Sequence, residues 1–208
     1  MQNKPDLTFF CELPARELAA LFEDRFVLDD LKTLNAAVSL GILDLSPERA
    51  EVVRKMNLLN IPVIAWLLLP KDQGYWFNLE NYPYAIARYE DFKIWSREND
   101  LRWAGIGLDI EPDYNQMEAF HTHDPRFYVD AFKRLNDHLA YDQAMLAYTG
   151  LVHQAHADGF EVEAYHIPQI TDDRKAGSNV LQRLVGLVDV PVDREVLMLY
   201  SSFSPSKG

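Results

Sequence analysis

Six short apolar runs punctuate the chain, at 7–13 (LTFFCEL), 37–45 (AVSLGILDL), 61–69 (IPVIAWLLL), 104–110 (AGIGLDI), 161–167 (EVEAYHI) and 195–203 (EVLMLYSSF). Each is rich in β-branched or aromatic residues and has the length of a strand. Longer segments between them carry apolar residues at helical spacing. In 46–60, Ser46 is placed as an N-cap, Pro47 as the first helical residue and Glu48 in the first turn, and Val52, Val53, Met56 and Leu59 follow the helical period. The segments 84–99 and 124–160 read the same way, the second ending at a glycine suited to a C-terminal cap, Gly159.

Strand alternating with helix predicts a parallel sheet with helices on its faces. An open doubly wound sheet would carry a phosphate loop after an early strand, and no G-x-G-x-x-G or P-loop is present there. The Gly-Ile-Gly at 105–107 lies inside a strand. A barrel instead predicts polar residues at the C-terminal ends of several strands. Those positions hold Glu12, Asp44, Trp66, Asp109 with Glu111, His166 with Gln169, and Tyr200 with Ser201. The expectation is an α/β fold, a TIM-type (β/α)8 barrel in one domain spanning 1–208. Only six strands are counted where a barrel of roughly 250 residues has eight, so the expected barrel is incomplete or truncated after strand 6, with truncation favoured.

Composition narrows the setting. With 48% hydrophobic residues in 208, the chain can bury one substantial core. A formal charge of −12 repels phosphate backbones and anionic lipid, which argues against nucleic acid and membrane surfaces as partners. The one cysteine, Cys11, cannot form an internal disulfide and reads as a small core residue. The N-terminus has no secretory pattern, and the longest apolar run, 61–70, is half the length that crosses a bilayer. A cytoplasmic protein is expected, and no metal-ligand spacing or cofactor motif is evident.

The stretch WAGIGLDIEP at 103–112 carries the most chemistry. Strand alternation puts Gly105, Gly107, Asp109 and Glu111 on one face and Ile106, Leu108 and Ile110 on the other. The aliphatic face suits packing against helices. The other face would line the barrel, with two glycines below and two acids at the mouth. Same-face neighbours lie roughly 6.5–7 Å apart at Cα, so the carboxyls can interact, one holding a proton while the other stays charged. A general acid with a charged neighbour needs that arrangement.

These residues resemble a family. Chitinase-like glycoside hydrolases of family 18 carry D-x-x-D-x-D-x-E on the fourth barrel strand and often M-x-Y on the sixth. Here LDIE matches the final D-x-E on the fourth predicted strand, and LMLYSS supplies Met198 and Tyr200 on the sixth. The resemblance implies that Glu111 protonates the leaving glycosidic oxygen. It also implies that Asp109 orients a substrate acetamido group acting as nucleophile, and that Tyr200 helps to hold that group, with no carboxylate nucleophile from the protein. The chain departs from the family pattern at Ala104 and Gly107, where the two earlier acids would fall, and at Pro112, where an aromatic usually follows. AWLLLP stands in place of a glycine-rich third strand.

Other readings remain open at this stage. A glycosidase of another family would pair Glu111 with Glu12 or Asp44 from a different strand. Tyr75, Trp76, Phe77, Tyr82 and Tyr84 follow strand 3 and could stack on sugar rings, with Tyr75 and Trp76 as the platform, or cover the rim as packing. Trp66, His166 and Gln169 are further candidate substrate contacts. His166 with Glu12, Asp109 and Glu111 could instead hold a divalent ion, as in an isomerase or phosphodiesterase barrel. His121 and His123 read as solvated loop residues. A non-catalytic barrel that binds carbohydrate or a partner protein is the third class. The expected function is hydrolysis of a carbohydrate substrate without a cofactor.

Overall fold

The computed structural model describes residues 7–114, 116, 122 and 124–199. In chain order these form β1 (Thr8–Cys11), α1 (Ala15–Glu23), α2 (Arg25–Thr33), β2 (Ala37–Ile42), α3 (Pro47–Leu58), β3 (Val63–Leu67), α4 (Tyr82–Glu98) and β4 (Gly105–Asp109). There follow α5 (Pro125–Asn136), α6 (His138–Ala157), β5 (Val162–His166), α7 (Ile170–Ala176), α8 (Val180–Val185) and β6 (Arg194–Leu197). All pairings are parallel and the strands lie in sequence order, β1 to β6, in one six-stranded sheet. No helix among the described residues is long and apolar enough to cross a membrane.

Strand alternation sorts the side chains into two cores. Val38, Leu40, Ile42, Val63, Ala65, Leu67, Ile106, Leu108, Val162 and Ala164 point to the helices and join the main cluster with Leu18, Val53, Tyr89, Phe92, Tyr148 and Val152. The opposite face holds a smaller cluster around Trp66, Leu68 and Tyr165. Each fully buried aliphatic side chain contributes about 1.5–3 kcal/mol, so the helix-facing layer dominates cohesion.

The sheet is curled into a half-barrel. In a flat sheet β1 and β5 would be about 19 Å apart, four spacings of roughly 4.8 Å. Instead the rings of Phe10 on β1 and Tyr165 on β5 meet edge-to-face at 5.0 Å, and Trp66 on β3 lies 5.6 Å from the first and 5.8 Å from the second. Ser39 on β2 is hydrogen-bonded to the Tyr165 hydroxyl at 2.7 Å. Side chains from β1, β2, β3 and β5 thus converge on one axis. This layer is the floor of the concave side.

Two glycines on β4 make room for it. A Cβ on Gly107 would stand 2.3 Å from the Tyr165 hydroxyl oxygen, and one on Gly105 2.9 Å from the Glu161 carbonyl oxygen. Tyr165 can cross β4 only because position 107 has no side chain.

The helix N-caps follow the sequence closely. Ser46 caps α3 by accepting from the Arg49 N–H, with Pro47 in the first turn. The long helical segment at 124–160 is two helices, because Asp137 leaves helical geometry (φ −92°, ψ 77°) and its carboxylate accepts from Ala140 N–H. An Asp that can satisfy the first N–H groups of a new helix favours such a break. Gly159 follows α6 at φ +91°, and its N–H donates to the His156 carbonyl.

Candidate active site at the mouth of the half-barrel

Asp109 is the last residue of β4, on the same face as Gly107, and is 1% exposed. Trp66 Nε1 donates to its Oδ2 at 3.0 Å. Its other oxygen, Oδ1, is buried and receives no N–H or O–H among the described residues. The Glu111 carboxyl lies beside Asp109, and the two side chains interact. Two carboxylates make that contact only when one carries a proton.

The environment holds that proton tightly. Burial pushes Asp109 well above the usual carboxylate range, and the charges of Glu111 and Glu12 push the same way against the opposing Trp66 hydrogen bond. Burial likewise raises Glu111, to about 7, with Glu12 adding and the Asp109 hydrogen bond opposing. Both shifts run the same way, so the site favours keeping a proton on the pair.

The loop after β3 fixes this pair from outside the sheet. Phe77 N–H donates to the Asp109 carbonyl at 2.8 Å, and Glu111 N–H donates to the Phe77 carbonyl at 3.1 Å. The backbone carrying Glu111 is thereby held as if the strand continued, with Phe77 paired to Ile110. The loop turns at Gly74 (φ +101°), where a Cβ would stand 2.6 Å from Asn81 Nδ2. Tyr75 follows at φ +63°, a conformation that strains a residue with a Cβ. That turn delivers the Tyr75 hydroxyl to Glu12, to which it donates a hydrogen bond. Burial and the negative charges of Glu12 and Asp109 raise the Tyr75 phenol, which stays a donor. Trp76 packs edge-on to Tyr75 at 5.5 Å and lies 5.7 Å from the Tyr114 ring.

The sequence candidates divide accordingly. Asp109, Glu111, Glu12, Trp66, Tyr75 and Trp76 come together at the mouth. Asp44 does not join them. Its carboxylate accepts from Arg49 Nη2 at 2.9 Å and Nε at 3.3 Å and from Ser46 N–H at 3.0 Å. Burial opposes its ionisation, but the hydrogen bonds from Arg49 and Ser46 and the guanidinium charge outweigh this and bring it down to about 2. Arg49, fully buried, also donates to the carbonyls of Gly41 and Leu13, so the pair ties β1, β2 and α3 together.

His166 stands on the other side of the sheet. It alternates with Tyr165 and shares the helix-facing side with Val162 and Ala164, so the mixed imidazole and carboxylate set with Glu12, Asp109 and Glu111 is not assembled. Gln169 is exposed just before α7, without a side-chain cap bond. Tyr200, His121 and His123 lie outside the described residues.

The concave-face residue of β5 is Tyr165, with Glu163 beneath it. Tyr165 donates to Glu163 Oε1 at 2.7 Å and accepts from Ser39, and Glu163 is paired with Arg194 at 3.4 Å. These residues support the aromatic floor under Asp109. The signal for them was the alternation in VEAYH, whose apolar Val162 and Ala164 face the helices. Compared with protein-family models, with curated proteins and with solved structures, the chain matches none.

Proposed function

We propose that this chain is a glycoside hydrolase of the (β/α)8-barrel class, in which Glu111 is the general acid and Asp109 its hydrogen-bonded partner. The observation that carries the reading is the placement of buried Asp109 beside half-buried Glu111 at the C-terminal end of β4, where burial raises both carboxyls. A carboxylic acid that keeps its proton near neutrality can give it to a leaving glycosidic oxygen, which leaves Glu111 ionised and ends its hydrogen bond to Asp109. Trp66 holds Asp109 in place through Oδ2. By resemblance, Asp109 would also orient a 2-acetamido group whose oxygen attacks the anomeric carbon. The sequential parallel order and the convergence of β1 on β5 support the first six units of a full barrel.

Tyr75, Trp76 and Tyr114 give the mouth aromatic surface against which sugar rings can stack. Tyr75 also holds Glu12 near the pair, where its charge favours keeping a proton on the pair. A carbohydrate substrate in the cytoplasm is in keeping with the acidic chain and its single thiol, Cys11. The test is turnover of alkyl glycosides, whose leaving group needs a proton, with and without a 2-acetamido group. Wild type should cleave the acetamido series and Glu111→Gln should lose at least a thousandfold in kcat. Full activity in the variant would remove the assignment.

A further inference from the structure

The concave mouth leaves the buried imidazole of His166 unused. His166 is fully buried, and neither ring nitrogen has a hydrogen-bond partner among the described residues. Leaving a buried polar group without a partner is unfavourable. Its surroundings are polar: ligand-capable atoms of His166, Asp189 and Glu195 all lie within 4.8 Å of one another. Asp189 comes from the segment between α8 and β6, and Glu195 from β6, so the three join the end of β5 to the last strand.

We propose that His166, Asp189 and Glu195 form a binding site for one zinc-class divalent ion on the helix side of the sheet, separate from the carboxyl pair at the mouth. One imidazole and two carboxylates suit Zn²⁺ and its transition-metal neighbours, whereas Mg²⁺ and Ca²⁺ favour all-oxygen sites.

A cation already marks the position. Arg174 donates to both oxygens of Asp189, through Nε and Nη2 at 2.6 Å each, and to both oxygens of Glu195, through Nη1 at 2.8 Å and Nη2 at 2.5 Å. This guanidinium balances the two carboxylates, but its hydrogen bonds go to them and none goes to His166. A divalent ion satisfies all three groups at once. Its bonds of about 2.0–2.2 Å require the ligands to draw in by roughly an ångström, and Arg174, itself 38% exposed, turns outward to water. Water completes the coordination. The bound ion would staple β6 to β5, next to the edge of the sheet.

The experiment is a calorimetric titration of the full chain with Zn²⁺ alone, repeated on Glu195→Gln, His166→Gln, Arg174→Met and His156→Gln. One saturable site is expected. Glu195→Gln and His166→Gln should each weaken it at least tenfold, and Arg174→Met should tighten it, because no cation then has to be displaced. His156→Gln, which alters only the exposed His156–Asp193 pair, should leave it unchanged. If His166→Gln does not fold, Glu195→Gln decides alone, since its carboxylate is partly exposed. No saturable site, or a site insensitive to Glu195→Gln, overturns the proposal and attributes any uptake to surface imidazoles.

Discussion

Replacing Glu111 by Gln should stabilise the protein, and only above the acid range. Burial and the charge of Glu12 outweigh the Asp109 hydrogen bond and raise Glu111 from 4.5 to about 7, so the fold favours its protonated form. The consequence for stability has a definite sign. Below about pH 4.5 the group is protonated folded and unfolded, and the fold bears no penalty. Between 4.5 and 7 the unfolded chain ionises while the folded one resists, and stability is lost as pH rises. Above 7 the full penalty is present. The shift corresponds to about 3 kcal/mol at 1.36 kcal/mol per unit, and to about 2 kcal/mol after allowing for the partial solvent access of Glu111. Glutamine keeps the shape, carries no charge and can donate an N–H to the Asp109 oxygen that lacks one. For a domain of this size the gain is roughly 4–8 °C in Tm. Paired thermal melts of wild type and Glu111→Gln at pH 8 and pH 4.5 measure it. The variant should be more stable at pH 8 and nearly equal at pH 4.5. An equal or lower Tm at pH 8, or the same gain at both pH values, would refute the argument that the pair stores electrostatic strain.

Three further outcomes follow from the same geometry. Gly107→Ala places a methyl within 2.3 Å of the Tyr165 hydroxyl and should cost about 3 kcal/mol of stability by overpacking. Tyr165→Leu in that background should recover part of the loss in a double-mutant cycle, whereas additive losses would mean the two positions do not meet. Arg49→Met removes the partner of Asp44 and the donor to two carbonyls, with an expected loss of about 3 kcal/mol in urea unfolding; a loss below 1 kcal/mol would show that the buried guanidinium is not a tie. Trp66→Phe removes the hydrogen bond that favours ionised Asp109. In a ¹³C NMR titration of the carboxyl carbons the Asp109 midpoint should therefore move up, and an unchanged or lower midpoint would contradict the assigned contact.

Much of this arrangement was legible in the chain. Period-2 alternation in GIGLDIE placed Gly107 and Asp109 together and turned Ile106 and Leu108 to the helices, as the structure has them. It worked because both faces of β4 are strongly specified. On β5 the same alternation distinguishes Tyr165 from His166, but a histidine at a strand end draws attention as a ligand even when it faces the helices. Asp44 was indistinguishable from a site acid because its partner, Arg49, lies one turn into the next helix and reaches back only after folding. The break at Asp137 interrupts an unbroken helical period and shows only in the cap geometry. The curl of the sheet, which brings Phe10 to Tyr165, depends on the packing of several strands at once and has no local signature.

The role of Glu111 as a proton donor is tested most directly by leaving-group dependence. A dinitrophenolate leaves without a proton, whereas an alcohol leaving group needs one. On 2-acetamido glycosides, Glu111→Gln should hydrolyse the dinitrophenyl substrate at a rate near wild type and the disaccharide more than a thousandfold more slowly. An equal loss on both substrates would contradict general-acid catalysis by Glu111.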